Sequence, residues 1–136
     1  MIDAEHAFTR ASRASRRAAL LRALRRDDAG AHLRVFGTPR GRLPGPRGIR
    51  EIPLSAIRGT LEPRRAVEFD GSFRPRRRTA RARWQRIWMA ENRGTVLPPI
   101  SVVPVGDAYA IRDGHHRVSV ARARGALAID ATVDRD

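Results

Sequence analysis

From Pro98 to Val133 the chain changes hydrophobic period several times, and each change is marked by a turn signal. Leu97-Pro98-Pro99-Ile100 places the start of a strand at Ile100, because proline has no N–H for a ladder. Ile100–Val105 reads as that strand, and Gly106-Asp107 is a hairpin turn between two apolar runs. Ala108–Arg112 is the returning strand, with Tyr109 and Ile111 on one face. Asp113-Gly114 breaks it. A helix begins near His115 and ends at Gly125, with Val118 and Ala121 turned inward. Ala128–Val133 closes the series as a short strand on which Ile129, Ala131 and Val133 point one way. This order excludes a helical bundle and sets the class as α+β, mixed α/β, with a small sheet and packed helices.

The preceding sequence supplies less regular pieces. Residues 3–26 read as a helix capped by Asp3, with Phe8, Ala11, Ala18, Leu21 and Leu24 near one stripe that Ser15 interrupts, and Gly30 as a stop. The stripe is thin, so the helix packs on the domain, packs on a second copy as a homodimer contact, or frays. A short strand is expected at Leu33–Phe36. Residues 37–48 are rich in glycine, proline and arginine and show no periodicity, so they read as a loop. Ile49–Ile57 reads as a strand running into a turn, with Pro53 marking an edge and Ser55 a cap. Residues 58–83 resist assignment, apart from Phe69 and Phe73 as core anchors. Arg81–Asn92 is a helix with Thr79 as a possible cap; Trp84, Ile87 and Trp88 make its inner face. The expected organisation is a basic amphipathic helix over 1–30, a linker over 31–48 and one domain over 49–136.

Composition narrows function. Cysteine is absent, which excludes disulfides, thiolate nucleophiles and Cys-ligated metals. No apolar run is long enough to span a bilayer and no secretory leader is visible, so the expected setting is cytoplasmic, without a membrane partner. The formal net charge is +14, and every basic residue is arginine. Residues 1–97 hold 23 Arg against 9 acids, whereas residues 98–136 hold 5 of each. A positive field confined to the first part of the chain favours phosphate-bearing partners, nucleotide or nucleic acid. Arg74-Pro75-Arg76-Arg77-Arg78 is its densest run.

One segment concentrates chemistry: Asp113-Gly114-His115-His116-Arg117, then Val118-Ser119, between a strand and a helix. The first turn of a helix carries unpaired N–H groups and the positive end of its dipole. Gly114 lets an oxygen-rich ligand approach the backbone. Arg117 adds a fork-shaped donor for phosphate. Two histidines can exchange protons near neutrality, but adjacent helix positions point about a hundred degrees apart, so they cannot share one task. Asp113 can orient a histidine, bind a cation bridged to phosphate, or merely cap the helix. No metal-ligand spacing involves His6 or His32, and neither a GxxxxGK[ST] loop nor a GxGxxG turn is present. Other carboxylates open to acid–base work are Glu51, Glu62, Glu68 and Glu91.

Three stretches carry a resemblance: Ile52-Pro53-Leu54-Ser55-Ala56-Ile57; Pro98-Pro99-Ile100-Ser101-Val102; and Tyr109-Ala110-Ile111-Arg112-Asp113-Gly114-His115-His116-Arg117-Val118-Ser119-Val120-Ala121. Residues 50–133 resemble the ParB/sulfiredoxin superfamily, the nucleotide-binding domain of chromosome-partitioning proteins and its relatives. The resemblance implies a ParB/sulfiredoxin-like sheet and a turn that holds nucleotide phosphates. Its members include a CTP-binding clamp, ATP-dependent sulfiredoxins, small kinases of free serine and some described as nucleases. It implies Gly114, His115, His116 and Arg117 at the phosphates with Asp113 at the turn, and ATP or CTP with Mg2+ as cofactor; Ser119 is taken as a further nucleotide contact, and His115, His116 and Asp113 as catalytic candidates. Glu51, near the opening strand, is taken as the supporting carboxylate.

The departures are equally specific. Sulfiredoxins carry a cysteine just before His-Arg; His115 stands there, so sulfinic-acid reduction by that mechanism is excluded. Partitioning proteins carry a Gly-Glu-Arg-Arg type of turn and a following helix-turn-helix, and neither is found here. The expected function is therefore a nucleotide-binding domain, with phosphotransfer or NTP hydrolysis as its chemistry. The alternatives are a nucleic-acid-binding or regulatory protein using the arginine-rich surface, or a docking module without catalysis.

Overall fold

The computed structural model describes residues 3–37 and 48–134. Most of the Gly/Pro/Arg loop, residues 38–47, lies outside the described residues.

Helix α1 spans Ala4–Arg25, and the Asp3 carboxylate caps it by accepting from the His6 N–H at 2.8 Å. Its end falls earlier than Gly30: Arg26 takes the left-handed conformation at φ 52° and closes the last turn onto the Ala23 and Arg22 carbonyls. Only the first half of α1 packs on the domain. Ala4, Ala7 and Phe8 are buried, whereas Leu20, Leu21 and Leu24 are exposed. The inward stripe expected along the whole helix thus stops near Ser15 among the described residues.

The sheet has six strands: β1 Arg34–Val35, β2 Ile49–Pro53, β3 Ile57–Thr60, β4 Ile100–Val105, β5 Ala108–Asp113 and β6 Ala128–Val133. They lie in the order β1-β3-β5-β4-β6-β2. β4 and β5 form the expected hairpin, and the other neighbours meet through crossovers. Among the described residues β2 pairs only with β6, an edge position where Pro53 costs no ladder bond. At the other edge, β1 lies parallel to β3. A Cβ on Gly59 would stand 2.2 Å from the Arg34 carbonyl oxygen, so only glycine permits that approach. Leu33 is fully buried beside β1. The short strand expected at Leu33–Phe36 is thus found at Arg34–Val35, packed on the sheet.

A 3-10 turn at Leu54–Ala56 joins β2 to β3, entered at Pro53 with no side-chain cap, so Ser55 does not cap it. The segment that resisted assignment holds β3, a one-turn helix α2 (Pro63–Ala66) and a loop from Phe69 to Pro75. Buried Asp70 organises that loop, accepting from the backbone N–H groups of Ser72 and Arg74. Helix α3 covers Arg81–Asn92 directly after a 3-10 turn at Arg78–Ala80, which takes in Thr79 and leaves it no capping role. Helix α4 is His115–Ala123.

The core has two parts. Ile100, Val102, Ile111 and Val118 pack with Phe69 and Phe73 on the sheet. Phe8, Trp84, Trp88 and Val120 form a second cluster where α1, α3 and α4 meet. Trp84 stacks on Trp88 at 5.5 Å and receives the edge of Phe8 at 5.6 Å. Both tryptophans are core residues, consistent with their helical spacing. The architecture is mixed α/β, with an N-terminal helix, a small sheet and packed helices.

Candidate functional site

The end of β5 delivers Asp113, and Gly114 turns the chain into α4 at φ 113° and ψ 24°. A Cβ at position 114 would lie 2.4 Å from Ile100 Cγ2 and 2.8 Å from Ile100 Cβ. Glycine is required there for both conformation and space. The helix-capping position is Gly114 itself, with no side-chain cap, so Asp113 is not the cap that the sequence allowed. Among the described residues the N–H groups of the first turn have no side-chain cap.

His115 and His116 open the helix and are both buried. His115 Nε2 lies 2.6 Å from Thr60 Oγ1, and its ring stacks on Phe69 at 6.4 Å. Thr60 Oγ1 also accepts from the Glu62 N–H at 2.9 Å and donates to the Ile111 carbonyl at 3.2 Å. That network assigns the proton between them to His115 Nε2. The edge of His116 meets Phe69 at 5.1 Å. Burial, the largest cause, pulls both imidazoles down to about 4, and Arg65 pushes each in the same direction. Both rings are thus held toward the neutral form at pH 7.

Arg117 is held by the protein. Its guanidinium donates to the Pro98 and Pro99 carbonyls and to Asp113 Oδ2 at 3.2 Å, so it pins the segment before β4 onto the turn. Asp113 is otherwise exposed.

Beside this turn lies a cleft of about 490 Å³ that sequence reasoning did not complete. Arg65, Arg83 and Arg86 line it together with the histidines, Asp113 and Arg117. Arg65 pairs with Glu68 at 3.2 Å. Arg83 and Arg86 form no ion pair among the described residues, and Arg86 only touches the Ala82 carbonyl of its own helix. A sequence signal for these two existed. With Trp84 and Trp88 turned to the core, positions 83 and 86 fall together on another face of α3. Nothing in the sequence places Arg65, because α2 is a single turn.

Two expected site residues lie elsewhere. Glu51 on β2 lines a separate cleft of about 320 Å³ with Glu91 and Asp130, and Arg117 and the Leu97-Pro98 segment contribute to both clefts. Ser119 is buried, and its Oγ accepts from Trp84 Nε1 at 2.9 Å. Its task is to satisfy a buried indole. Ser119→Ala should cost about 1–3 kcal/mol by orphaning that donor; a denaturant titration showing no loss would contradict it.

No family profile matches the chain, and no curated protein matches it in sequence. Among solved structures, the crystal structure of sulfiredoxin from Arabidopsis thaliana is similar at a TM-score of 0.49 and 20% identity, covering 65% of this chain and 86% of that one.

Proposed function

We propose that the cleft at the start of α4 binds the phosphates of a nucleotide. The observation that carries this reading is the meeting of Arg83 and Arg86, without carboxylate partners among the described residues, with the uncapped first turn of α4. Helix N–H groups, the helix dipole and guanidinium forks all favour the same ligand, a multiply charged oxyanion. The volume of about 490 Å³ lies within the range of small-molecule and cofactor pockets. Arg117 acts as a positioning residue here: its donors hold the turn in shape and leave the charge contacts to Arg83, Arg86 and the backbone.

Among the described residues no group of three or more His, Asp or Glu is placed to hold a metal ion. Mg2+ ordinarily binds through one or two carboxylates together with substrate phosphates. Asp113 is the one carboxylate lining the cleft among the described residues, and it is exposed. It fits that limited role. It is also the group best placed to accept a proton from an acceptor hydroxyl during phosphoryl transfer, a task for which the depressed histidines are weak bases. Stabilisation of the transferring group would be electrostatic, from guanidiniums and backbone N–H groups.

The test is calorimetric titration of ATP, CTP, GTP and ADP with Mg2+, comparing the parent protein with the Arg83→Ala/Arg86→Ala double variant. Both side chains are exposed, so the fold should be unaffected. Binding of at least one nucleotide is expected, weakened tenfold or more in the double variant, about 1.4 kcal/mol. Equal affinity in both proteins would remove the cleft from consideration. If no nucleotide binds while a single-stranded oligonucleotide does, with affinity falling steeply as salt rises, the nucleic-acid reading takes its place. Its footing is the exposed Arg76, Arg77 and Arg78 ahead of α3.

A further inference from the structure

Further along α4 from the histidine cleft, toward the helix C-terminus, is a cavity of about 410 Å³, walled by α1, the loop from Ser72 to Pro75, Trp88 and the second half of α4. Its charged lining is Arg10, Arg74 and Arg122, with no carboxylate among the lining residues. Much of the remaining wall is apolar: the alanines of α1, Phe73, Pro75 and Trp88. The cavity exists only because the first half of α1 lies across α3 and α4, so it is a product of the N-terminal helix.

The balance of charge is what makes this cavity more than a packing gap. Arg122 is half buried, yet among the described residues its side chain makes a single hydrogen bond, from Nη2 to the Leu54 carbonyl, at 3.0 Å. Its guanidinium covers the Phe73 ring at 5.2 Å, and its Nε is buried without any hydrogen-bond partner among the described residues. Burial lowers its pKa, and Asp70 opposes that shift. Asp70 is the nearby acid, but its oxygens are already engaged by the Ser72 and Arg74 N–H groups and by the Arg74 guanidinium at 3.4 Å. Arg10 makes no hydrogen bond or ion pair among the described residues. Two guanidiniums out of three, exposed Arg10 and half-buried Arg122, therefore border a half-open cavity without a carboxylate bonded to them among the described residues. A partly desolvated cation of this kind is strongly stabilised by a counter-ion, because its attraction to an anion is less screened than in water.

We propose that this cavity is a second binding site, separate from the nucleotide cleft, for a small amphipathic anion: a phosphate monoester or carboxylate on a flat apolar body. The anionic group would sit among Arg10, Arg74 and Arg122, and the apolar part would lie against the alanines of α1 and the Phe73 side of the loop. The volume of about 410 Å³ lies within the range of small-ligand pockets. The proposal stands whether or not the histidine cleft binds nucleotide.

The probe is phenyl phosphate, with benzyl alcohol as its neutral counterpart, titrated by calorimetry into the Arg83→Ala/Arg86→Ala protein, in which the histidine cleft is weakened. Phenyl phosphate should bind with a Kd below about 1 mM, and benzyl alcohol at least tenfold more weakly. Adding Arg10→Glu should weaken phenyl phosphate by tenfold or more, because it places an acid where the anion sits. Adding Ala14→Phe should abolish binding by filling the cavity from the α1 side. Arg10 is exposed and unpaired, so Arg10→Glu should melt as its parent does and decides the matter even if Ala14→Phe proves unstable. Absence of binding below about 1 mM, equal binding of the neutral compound, or indifference to Arg10→Glu would each overturn the proposal.

Discussion

Gly114→Ala is expected to destabilise the protein by about 4 kcal/mol, the sum of a backbone penalty of about 1–3 kcal/mol and an overpacking penalty of similar size. The added methyl would fall within 2.8 Å of two Ile100 atoms and 3.2 Å from an Arg117 guanidinium nitrogen. Ile100 is fully buried at the start of β4 and has no free direction in which to retreat. The Arg117 side chain is fixed by three acceptors, so moving it releases the Pro98-Pro99 segment as well. Gly106→Ala is the control. It also has positive φ, at 64°, but a Cβ there meets nothing within 4 Å, so it should cost only about 1 kcal/mol. Denaturant melts of the two variants separate steric overlap from backbone strain. A Gly114→Ala loss no larger than that of Gly106→Ala would show that the turn is not packed as described. The same substitution should also eliminate binding in the histidine cleft, since it displaces the first turn of α4.

The second large effect is acid sensitivity. His115 and His116 have values near 4 in the folded protein, against 6.5 as the ordinary value. The unfolded chain therefore takes up protons at those positions between pH 6.5 and 4 that the native state refuses. Stability is fully present above about pH 6.5 and falls as the pH drops toward 4, by up to about 1.4 kcal/mol per pH unit for each ring. Together the pair should remove about 5 kcal/mol, a large share of the stability of an ordinary domain. Carboxylates of ordinary acidity titrate mostly below this window, so the loss belongs to the histidines. His116→Gln should reduce the slope of unfolding free energy against pH between 6.5 and 4.5 by about half. An unchanged slope, or no loss of stability over that interval, would mean that the rings are hydrated and not buried against Phe69.

How much of this could be read beforehand depended on the range of the interactions. β4, its hairpin turn, β5, α4 and β6 agree closely with their expected limits because period and turn residues are local signals. α3 was legible for the same reason: its two tryptophans stand at i and i+4. Residues 58–77 were not. β3 has only four residues and is held by parallel partners, β1 and β5, that lie far away in sequence. The loop at Asp70 depends on one buried carboxylate, which has no period at all. The capping roles of Ser55, Thr79 and Asp113 failed because preceding backbone turns or a glycine already made those entries.

The position of the candidate site was legible as well, since a strand ending in Asp113-Gly114 and followed by His115-His116-Arg117 presents backbone donors and a guanidinium whatever surrounds it. Its membership was not. Glu51 belongs to another cleft because β2 lies at the far edge, with β6 and β4 between it and β5. Ser119 lies inward because α4 is covered on that side by α3, whose Trp84 needs an acceptor. Arg65, Arg83 and Arg86 join the turn through the packing of α2 and α3. Period and punctuation by themselves determined the class of fold, the order of its later elements and the place of the turn, because those follow from contacts between near neighbours in the chain. Tertiary structure alone decided that both histidines are neutral and that Arg117 is a clamp. It also decided which arginines are left without partners, because burial and charge pairing depend on what distant segments bring to the same place.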